Sequence, residues 1–168
     1  MLRSEFSKSV NEAMRMLAKH NAIFVGQSVR YDGAAIYHSL DGVPMEQRVE
    51  LPVIEDFQMG YCTGRAIAGD FPICIYPRMD FMLLATNQIV NHLDKSIWLP
   101  KIIIRTTVGQ KKPLDAGPQH TQNHTEAFRL MLTTVHVDEV RTPGAVKWAY
   151  EQAVERNGPT LIVENPCE

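Results

Sequence analysis

The sequence predicts an α/β fold, a three-layer sandwich in which helices cover both faces of a mostly parallel central sheet. Three observations lead there. Strand and helix signals alternate through almost the entire chain, and most connections between them are short. The run "KIIIR", residues 101–105, is unbroken and β-branched, as in a strand buried on both faces.

The elements follow in order. Val10, Ala13, Met14, Leu17 and Ala18 recur at helical spacing, so residues 5–19 form an amphipathic helix that Ser4 can cap. "AIFVG" is a short buried strand ending at Gly26. Residues 27–46 hold turn formers, including "YDG" and "LDG", without a steady period. "RVEL" is the next strand, and a helix over residues 56–68 places Gly60, Gly64 and Ala68 on one face, where a neighbouring backbone can approach closely. "PICIY" is a strand, and residues 80–97 read as one long helix with Met82, Ala85, Ile89, Leu93 and Ile97 toward the core. After "KIIIR" the Gly and Pro content of "TTVGQKKPLDAGPQH" indicates a long loop. Residues 122–132 are helical in pattern, "TVHV" is a strand, and Thr142 with Pro143 starts a helix through "TPGAVKWAYEQAVE". "TLIVE" closes the series.

Composition narrows the function classes. Hydrophobic residues make up 45% and charged residues 21%, with a net charge of -2, which argues against a nucleic-acid surface or an acidic tail. Lys111 and Lys112 are the only adjacent basic pair and suit a solvated loop. No apolar run reaches the about 18 residues needed to cross a bilayer. Cys62, Cys74 and Cys167 lack metal-ligand spacing, and Cys62 and Cys74 suit buried free thiols. A single cytoplasmic domain over residues 1–168 is the expectation.

The common motifs are absent: no P-loop, no GxGxxG turn and no GxSxG elbow. Ligands in parallel α/β folds sit outside the carboxyl ends of strands, and Glu55, the region around Gly26 and the loop after "KIIIR" all fall there. Glu55 with Asp56 ends an apolar run where a helix begins. A first-turn acid is favoured by exposed amides, so a capping role and a site role both stand. Phe81, near the start of the long helix, by itself reads first as core packing, with a binding face as the alternative. His120 and His124, followed by Glu126, leave open a metal pair, a helix start and an active-site role.

A collinear series of fragments adds to this. "FVGQSVRYDG", "QRVELPVIEDFQMGYCTGRAIAG", "FPICIYPRMDFMLLATNQIVNHL", "IIIRTTVG", "GPQHTQ", "RTPGAVK" and "PTLIVEN" occur in the order found in the pyrimidine-binding, transketolase-like domain of thiamine-diphosphate-dependent 2-oxoacid dehydrogenase E1 beta subunits. The chain resembles that family over residues 5–166. The resemblance implies the pyrimidine-type domain of the thiamine-diphosphate-binding fold. In the family, the glutamate at the position of Glu55 hydrogen-bonds N1′ of the cofactor's aminopyrimidine, and the phenylalanine at Phe81 stacks on that ring. By the same resemblance Val53 offers a backbone contact, Gln27 and Tyr31 lie near the cofactor, and His120 faces the substrate and handles protons.

The chain departs from the family pattern in places. Gln27 stands for a glutamate, Ser28 for a second acid, Leu84 for a polar residue and Asn87 for an aspartate. Glutamine keeps hydrogen bonding but not the charge. No segment resembles the family's Gly-Asp-Gly metal motif, a carboxyl-terminal transketolase domain or a diphosphate-binding domain. The resemblance therefore implies thiamine diphosphate and Mg2+ held mainly by a diphosphate-binding, alpha-like partner, in a heterodimer or α2β2 heterotetramer that is inactive without it. A transketolase-like or acyloin-forming ligase subunit and a non-catalytic assembly subunit are the alternatives. Neither nucleic acid nor membrane is expected as a partner.

Overall fold

Ser4 accepts a hydrogen bond from the Ser7 amide and caps α1 (Glu5–Lys19), which buries Val10, Ala13, Met14 and Leu17. The structure, a computed structural model, describes residues 4–110 and 115–166; Cys167 and the pair Lys111 and Lys112 lie outside the described residues. The order continues with β1 (Ala22–Gly26), α2 (Ala35–Ser39), β2 (Arg48–Glu50), α3 (Glu55–Ile67), β3 (Phe71–Tyr76) and α4 (Met79–Met82). It ends with β4 (Ile103–Thr107), α5 (Pro118–Thr121), α6 (Thr125–Met131), β5 (His136–Val140), α7 (Pro143–Glu155) and β6 (Thr160–Glu164). Thr142 caps α7 as its sequence predicts, accepting from the Ala145 amide.

The six strands form one sheet in the order β2-β1-β3-β4-β6-β5, with every neighbouring pair parallel. Alternation along each strand splits the apolar side chains between two cores. Phe24, Ile73, Ile75, Ile103 and Ile162 pack with α1 and α7. Val25, Cys74, Tyr76, Ile104, Leu161 and Val163 pack with α3, α6 and residues 79–93. The three-layer α/β sandwich is therefore present, and Cys62 and Cys74 are free thiols in the second core.

The long helix expected over residues 80–97 is replaced by a succession of turns. After α4 comes a 3-10 turn at Leu83–Ala85, and Gln88–Leu93 is π-helical, closed by the Asp94 amide donating to the Ile89 carbonyl at 2.9 Å. The spacing explains the widening. Ala85, Ile89 and Leu93 are each four apart, more than the 3.6 residues of an α turn, and a wider turn keeps all three buried on one face. Helical geometry ends at Leu93, so Ile97 is 85% exposed and not in the core.

Other boundaries shift for local reasons. β4 begins at Ile103 and runs to Thr107, so the first residues of the expected loop belong to the strand. The expected "TVHV" strand begins two residues later, at His136. The amides of Thr133, Thr134 and Val135 are taken by the Asp94 carboxylate at 2.7–3.1 Å before the ladder starts. α6 starts at Thr125 and not at residue 122, because Gln122 is extended.

One ion pair ties two neighbouring strands to helices on one face of the sheet. Arg105, 3% exposed, donates from Nε to Glu164 Oε1 at 2.8 Å and from Nη2 to Oε2 at 3.1 Å. Nη1 donates to Ser39 Oγ at 2.8 Å, and the Tyr150 hydroxyl donates to Glu164 Oε1 at 2.8 Å. Strands β4 and β6 and helices α2 and α7 thus share one buried charge pair, with each carboxylate oxygen occupied.

Two stability predictions follow from these anchors. Removing one partner of a buried pair strands the other charge, so Glu164→Ala is expected to lower unfolding free energy by about 3–5 kcal/mol in urea titrations. For Asp94, burial alone would raise the carboxyl, but the Val135 and Thr134 amides and Thr133 hold it below the ordinary carboxylate value. A depressed folded-state pKa stabilises fully above the unfolded value and is lost as pH falls through the folded one. Asp94→Asn is therefore expected to cost about 1.5–3 kcal/mol at neutral pH, with the gap to the parent chain closing below about pH 4.

Candidate functional site

Gly26 ends β1 against β3 so tightly that an added Cβ would stand 2.6 Å from the Ile75 carbonyl oxygen. Glycine is required by that approach, not by a turn. The next residue, Gln27, is 8% exposed, and its buried Nε2 meets no acceptor among the described residues. The Glu50 carboxylate holds the following turn by accepting the amides of Ser28 at 2.5 Å and Arg30 at 2.8 Å, with Ser28 at a φ of 60°. The family's second acid at Ser28 is thus replaced by a residue whose backbone is clamped by a carboxylate from the neighbouring strand.

Glu55 is the first residue of α3 and is 7% exposed. No hydrogen bond or ion pair engages its carboxylate among the described residues. Its backbone carbonyl is fixed by the Tyr76 hydroxyl, which donates at 3.0 Å from the end of β3. Burial and the neighbouring Cys74 push that hydroxyl far above its ordinary pKa, so Tyr76 remains a neutral donor. One turn along α3, Gln58 donates from Nε2 to the Ile75 carbonyl at 2.9 Å and leaves its buried Oε1 without a partner. A helix start thus carries a buried acid with free lone pairs beside the ends of β1 and β3.

Phe81 and His120 are brought together: their rings meet edge to face with centroids 5.3 Å apart, and both residues are half-buried. His120 Nδ1 is buried and unpartnered. Tyr31 and Val53 are at the surface, 65% and 73% exposed, and the Tyr31 ring folds back over Gly33. The metal pair left open by the sequence needs His120 and His124 on one helix. Extended Gln122 separates them, His120 lying in α5 and His124 preceding α6. No group of three or more His, Cys, Asp or Glu placed to hold a metal ion occurs among the described residues.

This set has a definite chemical capacity. Glu55 offers a charged or protonatable oxygen, Gln27 an amide donor, and Phe81 a flat apolar face. Each group by its own chemistry suits the edge or the face of a planar nitrogen heterocycle.

Comparison with known proteins places the arrangement. No family model matches the chain. A pyruvate dehydrogenase E1 component subunit beta from Gracilaria tenuistipitata var. liui is 30% identical over 124 residues, 70% of this chain and 37% of that protein. The mitochondrial subunit beta from Bos taurus is 24% identical over 166 residues, 94% of this chain and 46% of that protein. A solved structure of a split-gene transketolase, an inactive β4 tetramer, superposes with a TM-score of 0.70 at 17% identity, covering 94% of this chain and 50% of that one. The chain is a transketolase-like pyrimidine domain. It spans about half or less of the length of each of these relatives.

Within this pyrimidine domain, the glycine face of α3 does something other than admit a neighbouring helix of the same chain. A Cβ on Gly60 would meet only the Gln88 side chain at 3.5 Å, and one on Gly64 would meet nothing. The stripe lines a cleft of about 450 Å³ together with Ile67, Gln88, His92 and Trp98. Sequence reading also missed Gln58, Tyr76, Arg78 and Asp80. The available signal for the first was a polar residue on the buried face of an otherwise apolar helix turn; Tyr76 looked like an ordinary strand residue.

The tie between Tyr76 and Glu55 is separable from packing. Tyr76→Phe keeps the ring and removes the donor, so it is expected to cost about 0.5–1.5 kcal/mol in thermal or chemical denaturation while leaving helix content by circular dichroism unchanged.

Proposed function

We propose that this chain is one subunit of a split thiamine-diphosphate-dependent enzyme acting on a 2-oxoacid or related carbonyl donor. The observation that carries the reading is Glu55, 7% exposed at the start of α3, whose carboxylate has no hydrogen bond or ion pair among the described residues. A buried acid of that kind is costly for folding and makes sense when a ligand supplies its hydrogen bond. The bound cofactor supplies a thiazolium carbon that acts as nucleophile and electron sink.

The residues of this chain divide the remaining work. Glu55 holds and returns a proton at its carboxylate, facing N1′ of the aminopyrimidine. Phe81 supports the ring face, the Val53 backbone and the Gln27 amide meet its edge, and Tyr31 closes over the site on assembly. His120 handles protons on the substrate side through Nδ1. Diphosphate and Mg2+ are held mainly by an alpha-like partner subunit, in a heterodimer or α2β2 heterotetramer, and this chain is inactive alone. Exposed Ile67, Ile97 and Trp98 around the glycine-lined cleft support assembly with a second chain.

A second reading also has support. The superposed split-gene transketolase is an inactive β4 tetramer, and Gln27 lacks the charge of the family glutamate. A transketolase-like or acyloin-forming subunit, or an assembly subunit without catalysis, fits those two facts.

The experiment is reconstitution. The complex is purified with its partner, the bound cofactor identified by mass spectrometry, and 2-oxoacid consumption measured with and without a carbonyl acceptor. Glu55→Gln is expected to lower the rate about 100-fold or more with complex size unchanged. Full activity in that variant removes the assigned role. A complex that forms but carries no cofactor selects the assembly reading.

A further inference from the structure

The turn between β3 and α4 carries a guanidinium that none of the roles above employs. Arg78 Nη1 donates to the adjacent Pro77 carbonyl at 2.7 Å, while Nε is buried and meets no acceptor. No carboxylate is ion-paired with Arg78 among the described residues. Its position is set from two sides. Nε stands 3.1 Å from where a Cβ would lie on Gly109, just past β4, and the same Cβ would collide with the His120 carbonyl. Glycine at 109 thus lets the α5 turn and Arg78 close on one another.

His120, already given the substrate-side protons, adds a second unsatisfied atom, Nδ1, buried and without a hydrogen-bond partner among the described residues. The nearby acid, Asp80, faces His124 and keeps its buried Oδ2 without a hydrogen-bond partner among the described residues. Asp80 Oδ1 lies 4.0 Å from His124 Nε2, with the Asp80 side chain 9% exposed. The His124 amide donates to Met79 Sδ at 3.2 Å, which locks α4 to the start of α6. Arg78 is left as a cation with no ion-pair partner among the described residues, packed with the α5 turn that carries His120 around Gly109. A guanidinium stays charged at any ordinary pH and only donates, and a buried N–H without an acceptor costs about 1–3 kcal/mol. An anion from outside the chain removes that cost, and a planar fork fits a two-oxygen acceptor.

We propose that Arg78 and His120 form an oxyanion-recognition site that takes the carboxylate or phosphate group of the substrate. Arg78 supplies the charge-assisted donors and His120 the neighbouring polar contact, beside the Phe81 ring. That the anion belongs to the carbonyl donor rests on the function proposed above; anion binding as such needs neither cofactor nor partner.

The test uses the full chain alone. Pyruvate and inorganic phosphate are titrated separately while the histidine ring resonances are followed by NMR. At least one anion is expected to move the His120 signals, with a dissociation constant on the order of millimolar, and to leave His38 unmoved. Pyruvate binding alone assigns a carboxylate, phosphate binding alone a phosphate, and binding of both a general oxyanion site. Arg78→Ala is expected to weaken binding about tenfold or more. Arg78→Lys, which keeps charge but not the fork, retains part of it and serves as the folded control, and Lys8→Ala on α1 changes nothing. Equal binding by the Arg78→Ala chain, or no His120 shift with either anion, overturns the proposal. Failure of the Glu55→Gln experiment with anion binding intact would remove the donor assignment and leave the site standing.

Discussion

Everything in this molecule answers to one constraint: all six strands run in the same direction. A parallel sheet must be re-entered from the same end each time, so every crossover passes over a face and returns a helix to it. Both faces are thereby covered, and the inner strands bury apolar side chains on both sides, which is why two separate cores share one sheet. The same constraint gathers the carboxyl ends of the strands on one edge. Gln27 follows β1, Glu55 follows β2, Arg78 and Phe81 follow β3, and Gly109 and His120 follow β4. Residues spread over almost a hundred positions meet because the topology offers them no other edge.

Some buried polar groups in this chain are fully partnered, while others keep an atom with no hydrogen-bond partner among the described residues. Glu164 and Arg105 satisfy each other and draw in Tyr150 and Ser39. Asp94 is filled by three amides and a hydroxyl. Such groups have nothing left to offer a ligand, and they rigidify the places where helices join strands. Gln27, Gln58, Arg78 and His120 each keep an unpartnered buried atom, and the Glu55 carboxylate has no partner either. All of these lie toward one edge of the sheet. Natural chains tolerate such losses where the missing partner arrives from outside.

The segment from Met79 to Asp94 links the two kinds. Its first turn holds Phe81 against His120, and its last residue anchors the start of β5. Between them the backbone tightens and then widens, so that Met82, Ala85, Ile89 and Leu93 all stay buried. A uniform α-helix over the same residues would rotate part of that face away from the sheet. The irregularity serves the packing, and it also ends the helix early enough to leave Ile97 and Trp98 at the surface.

The sequence alone was sufficient for the alternation of strands and helices, the burial of "KIIIR", the Ser4 and Thr142 caps and the candidate positions Glu55, Phe81 and His120. These are local signals: period, capping chemistry and residue type act within a few positions. The start of β5 and the partners of Arg105 and Asp94 depend on residues about 40 to 60 positions away, as hydrogen-bond separations of 39–41 and 59 attest. The setting of Arg78 likewise depends on distant residues, Gly109 and the α5 turn. Whether a polar side chain is paired or waiting is a property of its neighbours in space, and spacing along the chain does not encode it.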